Sequence, residues 1–367
     1  MPTYNRPDLL VQAVTSVLSQ TQAKLELLVI NDGGVEVTDV LSTMNDPRVR
    51  ILEHSGRRGQ AAARNTGLKA AQGRYIAYLD DDDLYYPQHL EVLSQVIEGT
   101  GVAYADAWRV FIDKNGHETG RDVPFRHDFD RDLLLVTNYI PLPCLMHERS
   151  CLEKTGLFDE ELGSLEDWEL IIRLSRQYDF IHVTEFTSEY RKFKGSASVT
   201  RAGMDQSLAI TEKIHARYRK HADEETLAAQ KRRVALLQIK LGGESSYSTA
   251  ELSAQLTKDG ENCFNAGDLN RAMFFFRNAL KLEPSNTEAL TDLGVALWQN
   301  KQHAEAAEMF IRVLETDPSH PDALFNLVHC LEQQEGASIP PALIEKIASC
   351  TADDELLTRL GDFKERS

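Results

Sequence analysis

A repeat of fixed length in the last third of the sequence restricts the possible folds more than any other feature. Small, aromatic and proline residues recur there at a spacing of 34 positions. A chance helical bundle would seldom repeat so many positions at one period, so the pattern predicts stacked helical hairpins that share a continuous core. The recurring pairs are Gly260 and Gly294, Ala272 and Ala306, Phe276 and Phe310, Leu280 and Leu314, Pro284 and Pro318, Ala289 and Ala323, and Leu293 and Leu327.

In period and in the order of its small, aromatic and proline residues, this repeat resembles the tetratricopeptide repeat. Two complete units and part of a third are visible, whereas about three or more are needed to bury a continuous core. We expect residues 205–245, or a second copy of the chain, to cap the array. The segment after about residue 335, including residues 338–342, is expected to form a helical cap. The resemblance implies a protein partner or self-association through the repeats.

The first part of the chain has a different pattern, in which strand-like and helix-like segments alternate up to about residue 110. Such alternation is typical of an α/β domain with a parallel sheet and helices on both faces. A hairpin is expected around Asn115 and Gly116, and residues up to about 200 are mixed α+β. The predicted strands are residues 25–30, 49–52 and 75–79, and the predicted helices are residues 8–19, 59–71 and 88–98.

Four consecutive aspartates, Asp80, Asp81, Asp82 and Asp83, follow directly on the predicted strand 75–79. Ligands of α/β sheets bind beyond the carboxyl ends of the strands. Crowded carboxylates repel one another unless a cation neutralises them. Oxygen ligands suit Mg²⁺ or Mn²⁺, which one or two carboxylates and substrate phosphates commonly hold. The alternative is a solvated acidic loop.

Composition excludes several classes of protein. No apolar stretch reaches about 18 residues, so no membrane-spanning helix is predicted, and the N-terminus lacks the apolar core of a signal peptide. A net charge of −17 argues against a nucleic-acid partner. The five cysteines form no C-x-x-C pair, which favours reduced thiols in the cytoplasm. We therefore expect a cytoplasmic protein, and this expectation includes a peripheral position at the inner membrane face.

Several short motifs follow one another in order, at residues 2–8, 29–33, 64–67, 79–83 and, as a pair, 158–160 with 166–170. Together they resemble a family 2 glycosyltransferase of the GT-A fold over about residues 1–200, which implies a mixed sheet with helices on both faces. We therefore predict a transferase domain at residues 1–203, linker or capping helices at 204–245, and repeats with a C-terminal cap at 246–367.

This resemblance implies an inverting, metal-dependent hexosyltransferase. The donor would be a nucleotide sugar, usually uridine-linked, and the cofactor Mn²⁺ or Mg²⁺. The acceptor would be a hydroxyl of a saccharide or glycolipid in surface polysaccharide synthesis. Two alternatives stay open: a protein acceptor recruited by the repeats, and a non-catalytic scaffold that keeps the nucleotide-sugar fold.

The resemblance also implies roles for individual residues in the donor site. Tyr4 would border the nucleoside, Asp32 would accept a hydrogen bond from the base, and Arg64 would lie near the nucleotide. Asp80 would face the ribose, with Asp81 beside it. Asp82 would bind the metal that bridges the diphosphate. As the alternative to these roles, Asp32 and Gly33 would form only a turn. The alternative for Arg64 is a charged side chain on the protein surface.

Asp167 is the expected general base, which must take the proton of the acceptor hydroxyl. The alternative is a helix-capping box that starts at Ser164. A position at a helix N-terminus would lower the pKa of Asp167 and keep it ionised at neutral pH. Asn138 belongs to a segment that resembles the acceptor region of the family. Trp168 would line the acceptor cleft or, as the alternative, lie in the core.

Two departures from the family pattern stand out. Phe193 occupies a position where related enzymes often have a histidine, which leaves Asp82 and the donor to hold the metal. A strand of several apolar residues usually precedes the motif at residues 2–8, and here Met1 stands where that strand should end. We expect the chain as written to be less stable than one extended by about six to eight residues.

Overall fold

The structure is a computed structural model that describes residues 1–123, 127–194, 201–243, 245–332, 341–349 and 358–359. It divides into two compact units, Met1–Gly243 and Glu244–Ser367. Most of the segment expected to form the C-terminal cap, including residues 338–340, lies outside the described residues. In the described part of the chain, no helix is long and apolar enough to cross a membrane.

Short strands and helices alternate in the first hundred residues, as the sequence pattern predicts. They are β1 (Pro2–Thr3), α1 (Pro7–Leu18), β2 (Leu27–Asn31), α2 (Thr38–Ser42), β3 (Val49–Glu53), α3 (Gln60–Ala70), β4 (Tyr75–Ala77), β5 (Leu84–Tyr85) and α4 (His89–Val96).

The rest of the first unit begins with the predicted hairpin and ends in two long helices. Its elements are β6 (Val102–Ile112), β7 (Glu118–Asp122), β8 (Leu145–Glu148), α5 (Cys151–Thr155), α6 (Glu166–Ser175), β9 (Phe180–Phe193), α7 (Arg201–Tyr218) and α8 (Glu224–Lys240).

The strands form two sheets instead of one. The first is parallel with the order β1-β2-β3, and the second has the order β4-β8-β6-β9-β5 with β7 paired to β6. The mixed strand directions expected of this fold are confirmed, because β4 ends at Ala77 and pairs antiparallel with β8. An apolar run reveals burial but not the direction of its neighbour. A cavity of about 810 Å³ is lined both by residues of β2 and by residues of β4.

Helix α3 packs very closely on β2, which explains its run of alanines. Ala63 lies in one cluster with Leu28 and Ile30 of β2. A Cβ on Gly67 would lie 2.9 Å from the Ile30 side chain, so a larger residue would push the helix away. This contact fixes the carboxyl end of β2 relative to Arg64, which follows Ala63 on α3.

The second unit consists of helical hairpins. Gly260 and Gly294 lie where the repeat predicts, because a Cβ on either would approach the ring of Phe276 or Phe310 to 2.4 or 2.6 Å. The period therefore reflects direct packing of a helix on an aromatic ring. The helices are α9 (Thr249–Asn265), α10 (Leu269–Leu282), α11 (Thr287–Gln299), α12 (His303–Thr316), α13 (Pro321–Glu332) and α14 (Pro341–Ala348).

Helices α7 and α8 belong to the first unit. The Gln230 side chain donates to the carbonyl of Leu135 at 2.8 Å, and the Tyr218 hydroxyl donates to Glu169 at 2.6 Å. These contacts run to the α/β domain, so both helices pack on that domain.

Candidate active site

The four aspartates form a largely buried turn at the end of β4. Asp81 and Asp83 are 5% and 1% exposed, so the alternative of a solvated acidic loop is wrong. Asp81 accepts from the Thr3 hydroxyl at 2.8 Å. The Arg6 guanidinium donates to Asp81 at 3.2 Å and to Asp82 at 2.8 Å. The motif at residues 2–8 thus supplies the first counter-charge of the turn.

Arg6 does not neutralise the turn completely. Burial and the nearby Asp80 raise the pKa of Asp82 to about 6, although Arg6 opposes this. Burial together with Asp82 and Asp80 raises the pKa of Asp83 well above its ordinary value. The turn therefore favours additional protons or an additional cation.

The donor set of this turn fits a divalent cation held partly by the protein. Among the described residues, no group of three or more His, Cys, Asp or Glu side chains could hold a metal by itself. The Asp82 side chain is 24% exposed, and its described ion pair is with Arg6, which is itself 44% exposed. A reachable carboxylate among under-neutralised acids suits an ion that takes its other ligands from a diphosphate and water.

Asp32, at the end of β2, connects its own turn to the loop that precedes α3. Its two carboxylate oxygens accept from the backbone amides of Arg58 and Gly59, each at 2.8 Å, and His54 Nδ1 lies 2.7 Å from Asp32 Oδ1. Gly33 has φ 75°, and a Cβ there would meet the backbone of Gly56 at 2.4 Å. The turn interpretation is correct, and contact of Asp32 with a base stays a prediction.

Tyr4 presents an accessible ring beside this turn. It is 36% exposed, and the Arg57 guanidinium lies 4.5 Å from its ring centroid. The preceding residue, Thr3, accepts the backbone N–H of Asp32 at 2.9 Å. An exposed ring backed by a cation is suited to stacking on a planar group.

Arg64 links two parts of the site. Its guanidinium donates to Glu166 at 2.6 Å and to Asp80 at 2.7 Å. Arg64 is 6% exposed, so the alternative of a surface charge is wrong. This bridge holds the first turn of α6, where Asp167 lies, against the acidic turn.

Asp167 is the second residue of α6, and its environment differs from the expectation. Burial and the neighbouring Glu166 raise the pKa of Asp167 to about 6, although Arg64 opposes them. The expectation of a lowered pKa is therefore wrong, because desolvation and a second carboxylate outweigh the helix terminus. Asn138 donates to Asp167 at 3.3 Å, which places its segment beside the candidate base.

The capping-box alternative is wrong as well. Leu165 is the N-cap residue, and no side chain caps the helix. Leu165 has φ 55°, a left-handed conformation that is uncommon for a leucine. Backbone strain of this kind concentrates at functional sites. Trp168 is 2% exposed and donates to the carbonyl of Leu134, so it is a core residue.

Sequence reasoning assigned no role to several residues that complete the site. Arg6 and Glu166 lie inside motifs that were recognised, but nothing in the sequence showed their partners. Tyr190 accepts from Lys192 Nζ at 2.5 Å. Burial is the largest cause that raises the pKa of Tyr190, and the charges of Asp83 and Asp167 raise it further. The ring therefore lies near the acidic turn and near the first turn of α6.

Two known families match separate parts of the chain. Residues 1–154 match the family Glycosyl transferase family 2, and residues 264–323 match the family Tetratricopeptide repeat.

Individual relatives match the first half of the chain. An uncharacterized glycosyltransferase of Bacillus subtilis, YwdF, is 30% identical over 180 residues, which cover 48% of this chain and 66% of the relative. A Rickettsia conorii glycosyltransferase is 40% identical over 48% of this chain and 29% of its own length. The putative colanic acid biosynthesis glycosyl transferase WcaA of Escherichia coli is 26% identical over 53% of this chain and 76% of its own.

Among solved structures, S. aureus TarS has a TM-score of 0.48 at 16% identity and covers 86% of this chain and 54% of that chain. The mannosyltransferase PcManGT from Pyrobaculum calidifontis, in complex with GDP-Man and Mn²⁺, has a TM-score of 0.45 at 16% identity and covers 77% of this chain and 85% of that one. Similarity at this level is not sufficient to transfer a ligand or an activity. The sequence matches are specific to two segments: residues 1–154 are similar to a Glycosyl transferase family 2 domain, and residues 264–323 are similar to tetratricopeptide repeats.

Proposed function

We propose that this protein is an inverting, metal-dependent glycosyltransferase that moves a hexose from a nucleoside diphosphate, with uridine as the expected nucleoside, to a hydroxyl acceptor. The observation that carries this proposal is the Arg64 bridge, which connects Asp80 to Glu166. It brings a carboxylate suited to the donor and a carboxylate suited to the acceptor into one site.

The donor side is formed by residues from three segments. Tyr4 offers an exposed ring for the nucleoside, and Asp32 fixes the loop beside it. Asp80 and Asp81 shape the turn that receives the ribose and diphosphate. Asp82 would hold Mn²⁺ or Mg²⁺, which would stabilise the negative charge of the departing diphosphate.

On the acceptor side, Asp167 acts as the general base. It takes the proton of the acceptor hydroxyl while that oxygen forms a bond to the anomeric carbon. The bond between that carbon and the diphosphate oxygen breaks, and the nucleoside diphosphate leaves with the electron pair. With a pKa of about 6, Asp167 is mostly ionised at neutral pH yet basic enough to accept a proton.

A saccharide or glycolipid is the acceptor that we favour, with a protein as the alternative. One relative is named for colanic acid biosynthesis, which supports a role in surface polysaccharide synthesis. We also propose a cytoplasmic location, with a peripheral position at the inner membrane face. The four cysteines that are described are buried thiols outside disulfides, which supports the cytoplasm.

We assign the exposed aromatic face of the repeats to a protein partner, which includes a second copy of the chain. Phe325 is 63% exposed and Trp298 38% exposed. The ring of His329 lies 5.6 Å from Phe325 and 6.0 Å from Trp298. Aromatic residues are enriched at the centres of interfaces. Loss of a captured or self-associated species in Phe325→Ala would support this assignment, and an unchanged complex would refute it.

Release of the nucleotide from a panel of UDP-sugars with Mn²⁺ tests the proposed activity. Asp82→Asn and Asp167→Asn should each lower the rate by about 100-fold or more while circular dichroism shows a folded chain. Asp39→Asn, an exposed aspartate on α2, is the matched control and should leave the rate unchanged. Release that survives both site substitutions would remove the site assignment. No release from any donor would favour the non-catalytic scaffold.

A further inference from the structure

The protein itself already fills most of the hydrogen-bonding capacity of the Asp32 carboxylate. Oδ1 accepts from the Arg58 amide at 2.8 Å and lies 2.7 Å from His54 Nδ1. Oδ2 accepts from the Gly59 amide at 2.8 Å. Each oxygen of a carboxylate can accept about two hydrogen bonds. Among the described residues, the protein therefore fills Oδ1 and leaves one acceptor position, which is on Oδ2.

The His54 ring is fixed in this contact because both of its nitrogens have partners. Nδ1 donates to Asp32, since a carboxylate can only accept. Nε2 lies 2.9 Å from the Thr66 hydroxyl on α3. The backbone amide of His54 also donates to the carbonyl of Asn31 at 3.0 Å. The His54 side chain is 5% exposed, so a buried and immobile imidazole holds the second position on Oδ1.

Backbone contacts place this carboxylate beside the ring that is proposed to border the nucleoside. Asp32 donates its backbone N–H to the carbonyl of Thr3, the residue before Tyr4. On the other side of the ring, the Arg57 guanidinium lies 4.5 Å from the Tyr4 centroid, and Arg57 precedes Arg58, which donates to the carboxylate. Tyr4 and Asp32 therefore belong to one small region, in which a base stacked on the ring can turn its edge towards Oδ2.

The bases of nucleotide sugars differ in the number of N–H donors that they present to a carboxylate. Uracil presents one, the N3–H, between two carbonyl groups. Guanine presents two adjacent donors, the N1–H and the N2 amino group, which together match both oxygens of a free carboxylate. Where a single acceptor position remains, one guanine donor loses its water without gaining a partner, and this is costly.

We propose that His54 determines the base of the donor: by occupying Oδ1, it leaves Asp32 a single acceptor that fits the N3–H of uracil and rejects guanine. This inference rests on the proposed glycosyl transfer and on the proposed contact of Asp32 with the base. His54 acts through Asp32 and is a positioning residue. The selectivity comes from a polar group of the competitor that stays unpaired, and not from a better contact with the preferred base.

The test is calorimetric binding of UDP, GDP and inosine diphosphate to the full chain with Mn²⁺. The three probes share the diphosphate. Inosine diphosphate is matched to GDP in size, because its base is a purine with the N1–H but without the N2 amino group. The wild type should bind UDP and inosine diphosphate about tenfold more tightly than GDP. In His54→Leu, Oδ1 has a free acceptor position, so the affinity for GDP should rise about tenfold relative to that for inosine diphosphate.

His54→Asn is the conservative variant that should keep the wild-type preference. The asparagine side-chain nitrogen lies as many bonds from Cα as Nδ1 does, so it can donate to Oδ1 in the same way. His117→Leu replaces a histidine that is 79% exposed on the hairpin between β6 and β7, and this control should leave all three affinities unchanged.

A merely structural role for His54 would weaken all three nucleotides equally and leave the ratio of the two purine Kd values unchanged in His54→Leu. That result, or no binding of either purine to any variant, would overturn the inference. Equal affinity of the wild type for GDP and inosine diphosphate would do the same, which covers the case in which His54→Leu does not fold. Absence of binding of UDP and both purines to the wild type would instead count against the proposed function.

Discussion

Replacement of the candidate base by its amide should stabilise the protein while it removes activity. The pKa of Asp167 is raised from 3.8 to about 6. A carboxyl with a raised pKa binds its proton more tightly in the folded state, so folding stability falls as pH rises from about 4 to about 6. The penalty is fully present above that window. A shift of about two pKa units corresponds to about 3 kcal/mol, which is the upper estimate for the gain from Asp167→Asn at pH 8.

Urea unfolding at pH 8 and at pH 4, followed by tryptophan fluorescence, measures this effect. The gain should be large at pH 8 and nearly absent at pH 4, where the wild-type carboxyl is already protonated. Asp159→Asn provides a control of opposite sign. Although burial opposes it, hydrogen bonds from the Glu161 amide and the Arg217 guanidinium lower the pKa of Asp159, so its amide should destabilise the protein at pH 8. A loss of stability in Asp167→Asn at pH 8, or the same gain at both pH values, would refute the reasoning.

Three further outcomes can be measured on single variants. Arg64→Gln removes a charge that lowers the pKa of Asp167, so the acid limb of the rate of nucleotide release should move to higher pH, and an unmoved limb would contradict the assignment of the base. Arg6→Gln removes the described ion-pair partner of Asp82, so Mn²⁺ titrated by electron paramagnetic resonance without nucleotide should bind more tightly at pH 8. Gly294→Ala places a methyl group against an aromatic ring at 2.6 Å and should destabilise the repeats by about 1–3 kcal/mol, seen as a lower melting temperature of the helical signal.

The features that could be predicted from sequence are those written into local patterns. The 34-residue period identifies the repeats because the same glycine–phenylalanine contact recurs, between Gly260 and Phe276 and again between Gly294 and Phe310. The position of Asp80, Asp81 and Asp82 after an apolar strand predicts an acidic turn at a sheet end, and that turn is present. The order of short motifs gives the transferase fold before any contact is known.

Features that depend on long-range contacts could not be predicted in this way. The bridge from Arg64 to Glu166 joins residues 102 positions apart, and no local pattern encodes it. The helix terminus predicted a lowered pKa for Asp167, but the competing burial and the nearby Glu166 depend on the tertiary fold. The division of the strands into two sheets was missed for the same reason, since strand direction depends on partners distant in sequence.

The Arg64 bridge has a consequence for how such a protein can change its substrates. One buried guanidinium holds Glu166 and Asp80 together. The relative position of these two carboxylates therefore does not depend on the residues that would contact the acceptor. Under the proposed function, the loops that contact the acceptor are then free to diverge while the reaction itself is preserved. An engineer who grafts a new acceptor surface onto this scaffold should leave that buried arginine untouched.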